Sequence, residues 1–318
     1  MTPAASTGLA PIATKFSALE RLDLTIATPA PTAHLRFGET ANAAFDPQNK
    51  SWCVQSGGSI RINLHLPVLQ GVTLILQPNL AAVSQVPQYS VTAQVNSEKF
   101  SLEFDPHSDP RLLVQSWYIS AAMLSAGDNL ITLSLDGPAP LYLQAAYVMA
   151  FDMQPQLQSE WCWAAVTASL SEFLTPASPM TQCQAANKFL KQSSPPVDCC
   201  QNPDAPACNQ TNSLSNVLQA TGWLGCYHPF HLPPDVIRNL INKGKPLPIL
   251  INWRDGSGKF SGGHFIVITG VGPDHPNGHG DTMIAVEDPL NGPSLLPYNV
   301  LTKTYKGDGY WMYSYVLD

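Results

Sequence analysis

Residues 154–166 read QPQLQSEWCWAAV, and the reading of that stretch decides how the rest of the chain is taken. A polar run turns into an Ala-rich pattern at one cysteine, Cys162, held between Trp161 and Trp163. Val166, Leu170 and Phe173 then recur at helical spacing, which predicts a helix opening at the cysteine. The unpaired N–H groups and positive dipole end of a helix start stabilise a thiolate and lower its pKa. The plainer alternative is an inert core thiol packed between two rings. A base and an orienting group elsewhere in the chain would decide between them.

Both are present. SGGHFIVITG, residues 261–270, places His264 at the start of an apolar strand, behind Gly262 and Gly263, which permit close approach. AVEDP, residues 285–289, places Asp288 at the end of the next strand, where a proline stops it. If those strands are neighbours, the carboxylate orients the imidazole and the imidazole serves the thiol. Upstream, Gln156 offers an amide N–H that, with the backbone N–H of Cys162, can hold a developing oxyanion; Gln154 and Gln158 compete for that role. Alone, each residue is weak, since a strand histidine is ordinarily structural and EDP is an ordinary turn. The order Gln, Cys at a helix start, Gly-Gly-His, then Asp-Pro points to a cysteine nucleophile. Trp161, Trp163, Trp253, Gly262 and Gly263 are the cleft candidates; Trp161 and Trp163 read better as packing the catalytic helix and shielding its ion pair from water, and Trp253 is at least as readable as core. The Gly-rich segment 255–263 reads as a mobile rim.

At 318 residues the chain can hold two domains, each with its own core. Charged residues make up only 12%, and the 29 prolines favour loops and short strands over long helices. A net charge of −7 without any basic run excludes a nucleic-acid binder. Apolar runs such as residues 265–271 are far too short to span a bilayer. Residues 1–16 have no basic segment followed by an apolar one, so no Sec signal is expected. Low charge and seven cysteines nonetheless lean toward a protein secreted or delivered outside its producing cell.

Organisation changes near residue 150. Residues 1–30 read as a tail or lead-in strand. Over residues 31–150 the pattern has period two, as in SIRINLHLP, and short strands separated by turn signals predict an all-β, jelly-roll-like sandwich. Residues 151–318 carry helical patterns first (the Cys162 helix, MTQCQAANKFLKQ, PPDVIRNLINKG) and strands later (PLPILINW, GHFIVITGVG, TMIAVEDP). That order predicts an α+β domain with an antiparallel sheet.

Besides Cys162 there are Cys53, Cys183, Cys199, Cys200, Cys208 and Cys226. An even remainder favours disulfides, with Cys183, Cys199, Cys200 and Cys208 as candidates for stapling a Pro-rich loop, though spacing leaves the connectivity open. A zinc site drawing on His228 and His231 competes, but adjacent Cys199–Cys200 is poor metal spacing. DHPNGHGD, residues 274–281, has the composition of a polar hairpin loop. Neither metal nor cofactor is expected.

QSEWCWAAVTASLSEFL resembles the active-site helix of papain-like cysteine proteases, most of all the bacterial branch of effector proteases with a Trp-Cys-Trp-Ala-Ala signature. The resemblance continues through TQCQAANKFL, GGHFIVITG, VEDPLNGPSLLPYNVL and YKGDGYWMYSYV, covering about residues 153–318. It implies Cys162 as nucleophile, His264 as general base and acid, Asp288 as orienting residue and Gln156 as oxyanion donor. Many papain relatives carry Asn in the orienting place, so Asp288 agrees with this branch rather than with the wider family. Glu160 stands where the branch often has Asn, which bears on capping more than on chemistry. The implied function is a cysteine endopeptidase acting on a protein or peptide substrate, as a secreted effector or toxin. A glutamine deamidase or transglutaminase would use the same triad, and a non-catalytic protein binding through the sandwich is the alternative from another class. A carbohydrate or protein receptor for the sandwich, and an inhibitor or immunity protein, are the further partners this reading allows. Trp52 and Trp117 are the aromatic candidates for a sugar surface, though both read better as core.

Overall fold

The computed structural model describes residues 15–79, 89–104, 114–137, 140–191, 195–254, 257, 259–274 and 281–318. Two hydrophobic clusters lie in it, one built from the first half alone and the other from the second half together with Ile75 and Met149 of the first.

The described residues of the first half form nine strands: β1 (Ala18–Asp23), β2 (Leu35–Asp46), β3 (Ser51–Leu66), β4 (Val72–Pro78), β5 (Tyr89–Val95), β6 (Glu98–Phe104), β7 (Gln115–Ile119), β8 (Gly127–Asp136) and β9 (Leu141–Ala150). Every pairing among them is antiparallel. The alternation in β3 is realised directly: Ile60, Ile62, Leu64 and Leu66 are fully buried while Arg61, Asn63 and His65 face water. Each such burial stabilises by about 1.5–3 kcal/mol. The sheet order is β6-β5-β8-β3-β9-β4-β7, with β1 on β9 and β2 on β3. Strand β3 pairs with β8 through residues 59–66 and with β9 through residues 52–54, so it belongs to two layers. Apolar residues of β4 and β9 pack in one cluster with those of β3, β5 and β8, which makes the half sandwich-like.

Two parts of this sheet have little sequence signature. Strand β2 and the first turn of β3 carry exposed residues at 39–42 and 55–57 and no steady alternation. Their pairing with each other supplies the order that periodicity does not. Trp117 is buried, and Trp52 is half-buried with its indole N–H donated to Ile26 O at 3.2 Å.

The second half contains α1 (Cys162–Leu174), α2 (Gln182–Phe189), α3 (Leu214–Thr221), β10 (Leu224–His228), α4 (Pro234–Ile241), β11 (Leu247–Arg254), β12 (Phe260–Asp274), β13 (Thr282–Asp288), β14 (Gly292–Pro297), α5 (Tyr298–Lys303) and β15 (Tyr310–Leu317). Its antiparallel sheet runs β10-β15-β11-β12-β13-β14. Helix α1 is buried on nearly every side, because α2, α3 and β12 all pack on it. Small residues Ala164, Ala165 and Ala168 allow that close approach. Helix α2 starts on a reciprocal cap between Thr181 and Gln184. Helix α3 ends at Gly222, whose φ of 76° suits glycine.

The loop between α2 and α3 is stapled twice, by Cys183–Cys200 and Cys199–Cys208. Cys53 and Cys226 are free thiols, buried and exposed respectively. Among the described residues no cluster of three His, Cys, Asp or Glu is suited to a metal ion. No helix of the described residues is long and apolar enough to cross a membrane. The expected hairpin over residues 274–281 falls mostly on residues 275–280, outside the described residues, as do 255, 256 and 258 of the expected rim.

The halves meet along β12. Thr73 Oγ1 of β4 donates to Thr269 O at 2.8 Å, Arg238 reaches Ser116 O at 3.3 Å, and Asn242 Nδ2 reaches Val114 O at 2.5 Å. Gly270 is where β4 and β7 come closest: a Cβ there would lie 2.7 Å from Thr73 Oγ1 and 2.8 Å from Tyr118 Cβ.

Candidate active site

Cys162 occupies the first position of α1, and the tryptophans on either side fix that helix start in space. Trp161 and Trp163 have no exposed surface. Their indole N–H groups donate to Cys208 O at 2.8 Å and Gln210 O at 2.9 Å. Since Cys208 is bonded to Cys199, both rings are anchored to the stapled loop. The expectation that these tryptophans line the cleft is therefore corrected: a fully buried ring presents nothing to a substrate. They hold the thiol still, which answers why one cysteine sits between two indoles.

The thiol itself is 8% exposed. Its backbone N–H belongs to the first turn of α1, where no helical carbonyl is available to it. The first helical bond runs from Ala165 N to Trp161 O, and no side chain caps the end.

Register brings the other two groups to this point. Strands β12 and β13 are antiparallel neighbours, with Val267 opposite Glu287, so the start of β12 meets the end of β13. His264 Nε2 lies 2.7 Å from Asp288 Oδ1. The Cys162 thiol acts on the same imidazole, adding to the rise in its pKa, which puts the sulfur in the ring's neighbourhood. The Asp288 side chain has no exposed surface and the His264 side chain is 12% exposed.

A fully buried carboxylate needs donors, and Asp288 has several. Its Oδ1 also accepts from Leu290 N at 2.7 Å and Asn291 N at 3.1 Å. Its Oδ2 accepts from Asn291 Nδ2 at 2.8 Å and from Tyr305 OH at 2.5 Å. Burial works against its charge, but the hydrogen bond and charge of His264, with Tyr305 and Asn291, hold it well below the usual carboxylate range. For His264, burial likewise opposes protonation. The hydrogen bonds to Asp288 and Cys162 outweigh it and keep the imidazole pKa up at about 9. Tyr305 is driven above its ordinary range by burial and by the neighbouring carboxylate, so it remains a donor.

Asn291 and Tyr305 are the functional neighbours that sequence reasoning missed. Asn291 had a readable signal, since Asp followed by Asn three residues later at a strand end is a side-chain-closed turn. Tyr305 had none; it lies 17 residues on and is brought in by the turn that pairs it with Gly309.

Gln156 is joined to the Asp288 turn through its backbone, Gln156 N donating to Pro289 O at 2.9 Å. Its side-chain Nε2 donates to Gln158 O at 3.0 Å and Ser159 O at 3.1 Å, and its Oε1 is buried without a partner. Serving an oxyanion therefore requires one of those N–H groups to turn from its own loop toward the substrate.

Trp253 is half-buried and packs against the core of this half. It crosses close over Gly309, where a Cβ would sit 2.9 Å from Trp253 Cε2. Across the ladder it pairs with Gly262, and Asn252 pairs with Gly263. A side chain at Gly262 would meet nothing within 4 Å, so this stretch leaves open space two residues before His264.

A low-exposure thiol at a helix start, an imidazole held protonated, and a carboxylate fixed by several donors can together deliver a nucleophile and return its proton. Residues 144–299 match a family described as papain-like cysteine protease AvrRpt2. No curated protein matches the sequence. Among solved structures, a family 35 carbohydrate binding module from an environmental isolate is 15% identical, the match covering 41% of this chain and 93% of the module with a TM-score of 0.29. CBM35 from Cellvibrio japonicus Abf62 is 12% identical over 42% of this chain and 93% of its own, TM-score 0.28. The C-terminal CBM6 of LamC, a marine laminarinase from Zobellia galactanivorans, is 8% identical over 42% and 99%, TM-score 0.30. Likeness at that level carries no argument about what the first half binds.

Proposed function

From the match of residues 144–299 to a family of papain-like cysteine proteases, we propose that Cys162, His264 and Asp288 act as the triad of a cysteine endopeptidase. The observation that carries the reading is the His264 imidazole held 2.7 Å from Asp288 Oδ1, with the Cys162 thiol at the start of α1 close enough to raise its pKa. In the reaction, the Cys162 thiolate attacks a peptide carbonyl. Gln156 and the Cys162 N–H receive the oxyanion, protonated His264 gives its proton to the leaving amine, and water hydrolyses the thioester. Asp288 keeps the imidazole charged and aimed throughout.

The first half is a jelly-roll-like targeting or regulatory module that docks a carbohydrate or protein receptor. Support for a module that leaves the cleft free comes from where it sits. It contacts β12 at Thr269 and Gly270, five residues and roughly 17 Å along the strand from His264, and it approaches the site on the far side of the Asp288 turn, through Lys15 and Val68. The chain works outside its producing cell as a delivered effector, and its disulfides support an oxidising destination. An inhibitor or immunity protein that plugs the cleft fits the same setting.

The test compares wild type with Cys162→Ala on a panel of denatured proteins, with and without a thiol-alkylating epoxide, read by mass spectrometry. Wild type should cut and label, and Cys162→Ala should lose on the order of 10⁴-fold or more in rate. His264→Ala should abolish labelling at neutral pH. Uncut substrates that carry amide-to-acid conversions would make the chain a deamidase; intact substrates with an unlabelled thiol would end the proposal.

A further inference from the structure

Beside the Asp288 turn lies a cavity of about 430 Å³ that neither the triad nor the strand ladder accounts for. Four segments wall it: Lys15 and Val68, two separate parts of the first half, residues 152–155 leading to Gln156, and residues 287–290, 292 and 293 of the β13–β14 turn. Its size is that of small-molecule pockets, which run from about 300 to 1,000 Å³. Apolar wall comes from Val68, Met153, Pro289 and Leu290, and Leu290 at 66% exposure marks the opening to solvent.

The charge in this cavity is unmatched. Lys15 is spent on Asp152, 3.3 Å away. Glu287 is 7% exposed, and among the described residues nothing donates to its carboxylate. The groups that face it are Lys15 before β1, Asp152 after β9 and the neutral phenol of Tyr118 on β7. One cation shared by two carboxylates leaves the cluster one positive charge short, which disfavours the charged form of the more buried Glu287. Burial accordingly holds Glu287 up at about 7, Asp152 adding to the rise and Lys15 opposing it.

We propose that this cavity binds a small ligand with an ammonium or guanidinium head on a short apolar stem, the head pairing with Glu287 and the stem lying along Val68, Met153 and Leu290. Such a ligand supplies the missing cation and fills a wall that is apolar elsewhere. It also touches both segments that lead to the triad, since the cavity ends where Gln156 N is bonded to Pro289 O. Any effect on cleavage rests on the proposed function; the binding itself does not.

The experiment uses the full chain as Cys162→Ala, titrated calorimetrically with butylguanidinium and with its neutral isostere N-butylurea. Butylguanidinium should bind, and N-butylurea should bind at least about tenfold more weakly. Glu287→Gln, which keeps the size and removes the buried charge, should erase that preference. Binding of the cation should weaken as pH falls through about 7, because protonated Glu287 offers no charge. Equal binding of the two probes, a preference retained in Glu287→Gln, or no binding to a chain whose melting curve shows it folded would each overturn the proposal. Because Cys162 is absent, none of these outcomes depends on whether the unsubstituted chain cleaves protein, which a parallel digestion assay reports separately.

Discussion

At the scale of single residues, the imidazole of His264 sets the pH behaviour. Its pKa in the folded chain, about 9, is above the unperturbed value of 6.5. The stability it contributes is therefore fully present below about 6.5 and is lost as pH rises through about 9. Cleavage should follow, with the alkaline limb of kcat/KM near pH 9 as the proton to be delivered disappears. A limb near the ordinary histidine value would mean that Asp288 does not hold the ring. Asp288 has the opposite sign: its depressed pKa stabilises above the unperturbed 3.8, and that contribution is lost as pH falls through the folded value. Tyr305→Phe removes one donor from this carboxylate, at a cost of about 1.5–3 kcal/mol. The acid limb of activity should then move to higher pH, while a merely structural loss would lower the rate at every pH alike. The pH–rate profile of the folded variant distinguishes the two.

At the scale of elements, α1 and its stapled loop act as one unit. Cys199 and Cys208 are 2% and 0% exposed, whereas Cys200 lies at the surface. Mild reductant should open Cys183–Cys200 first and leave Cys199–Cys208 intact, as timed alkylation and peptide mapping would show. Replacing Cys199 and Cys208 together by Ser should cost about 2–4 kcal/mol of stability. It should also slow alkylation of Cys162, because the carbonyl that anchors Trp161 then floats; an unchanged labelling rate would detach the loop from the thiol's geometry. The element with the clearest sequence signature, α1, was legible because its apolar spacing is long and uninterrupted. Helices α3 and α5 and strands β10, β14 and β15 were not: the helices and β14 are short, and β10 and β15 pair with partners far along the chain. Sheet register, which sets His264 against Asp288, follows from glycines and β-bulges as much as from apolar pattern.

At the scale of the whole molecule, the seam along β12 joins the halves. Gly270→Ala puts a methyl against Thr73 Oγ1 and the Tyr118 ring, and overpacking of that kind costs about 1–3 kcal/mol. Calorimetry should then show the two halves melting apart where the parent chain melts with them coupled. A single unchanged transition would mean that the seam contributes nothing. The sequence by itself singled out Cys162, His264 and Asp288 and a change of character near residue 150, because helix-start chemistry, Gly-Gly-His and Asp-Pro are local patterns. Only the tertiary structure decided which cysteines pair, that the two tryptophans are anchors instead of cleft walls, and that Tyr305 steadies Asp288. It alone placed buried Glu287 beside one cation, Lys15, that Asp152 already shares. Those depend on which distant segments are brought into contact, and contact between distant segments is fixed by packing and register, which no local pattern encodes.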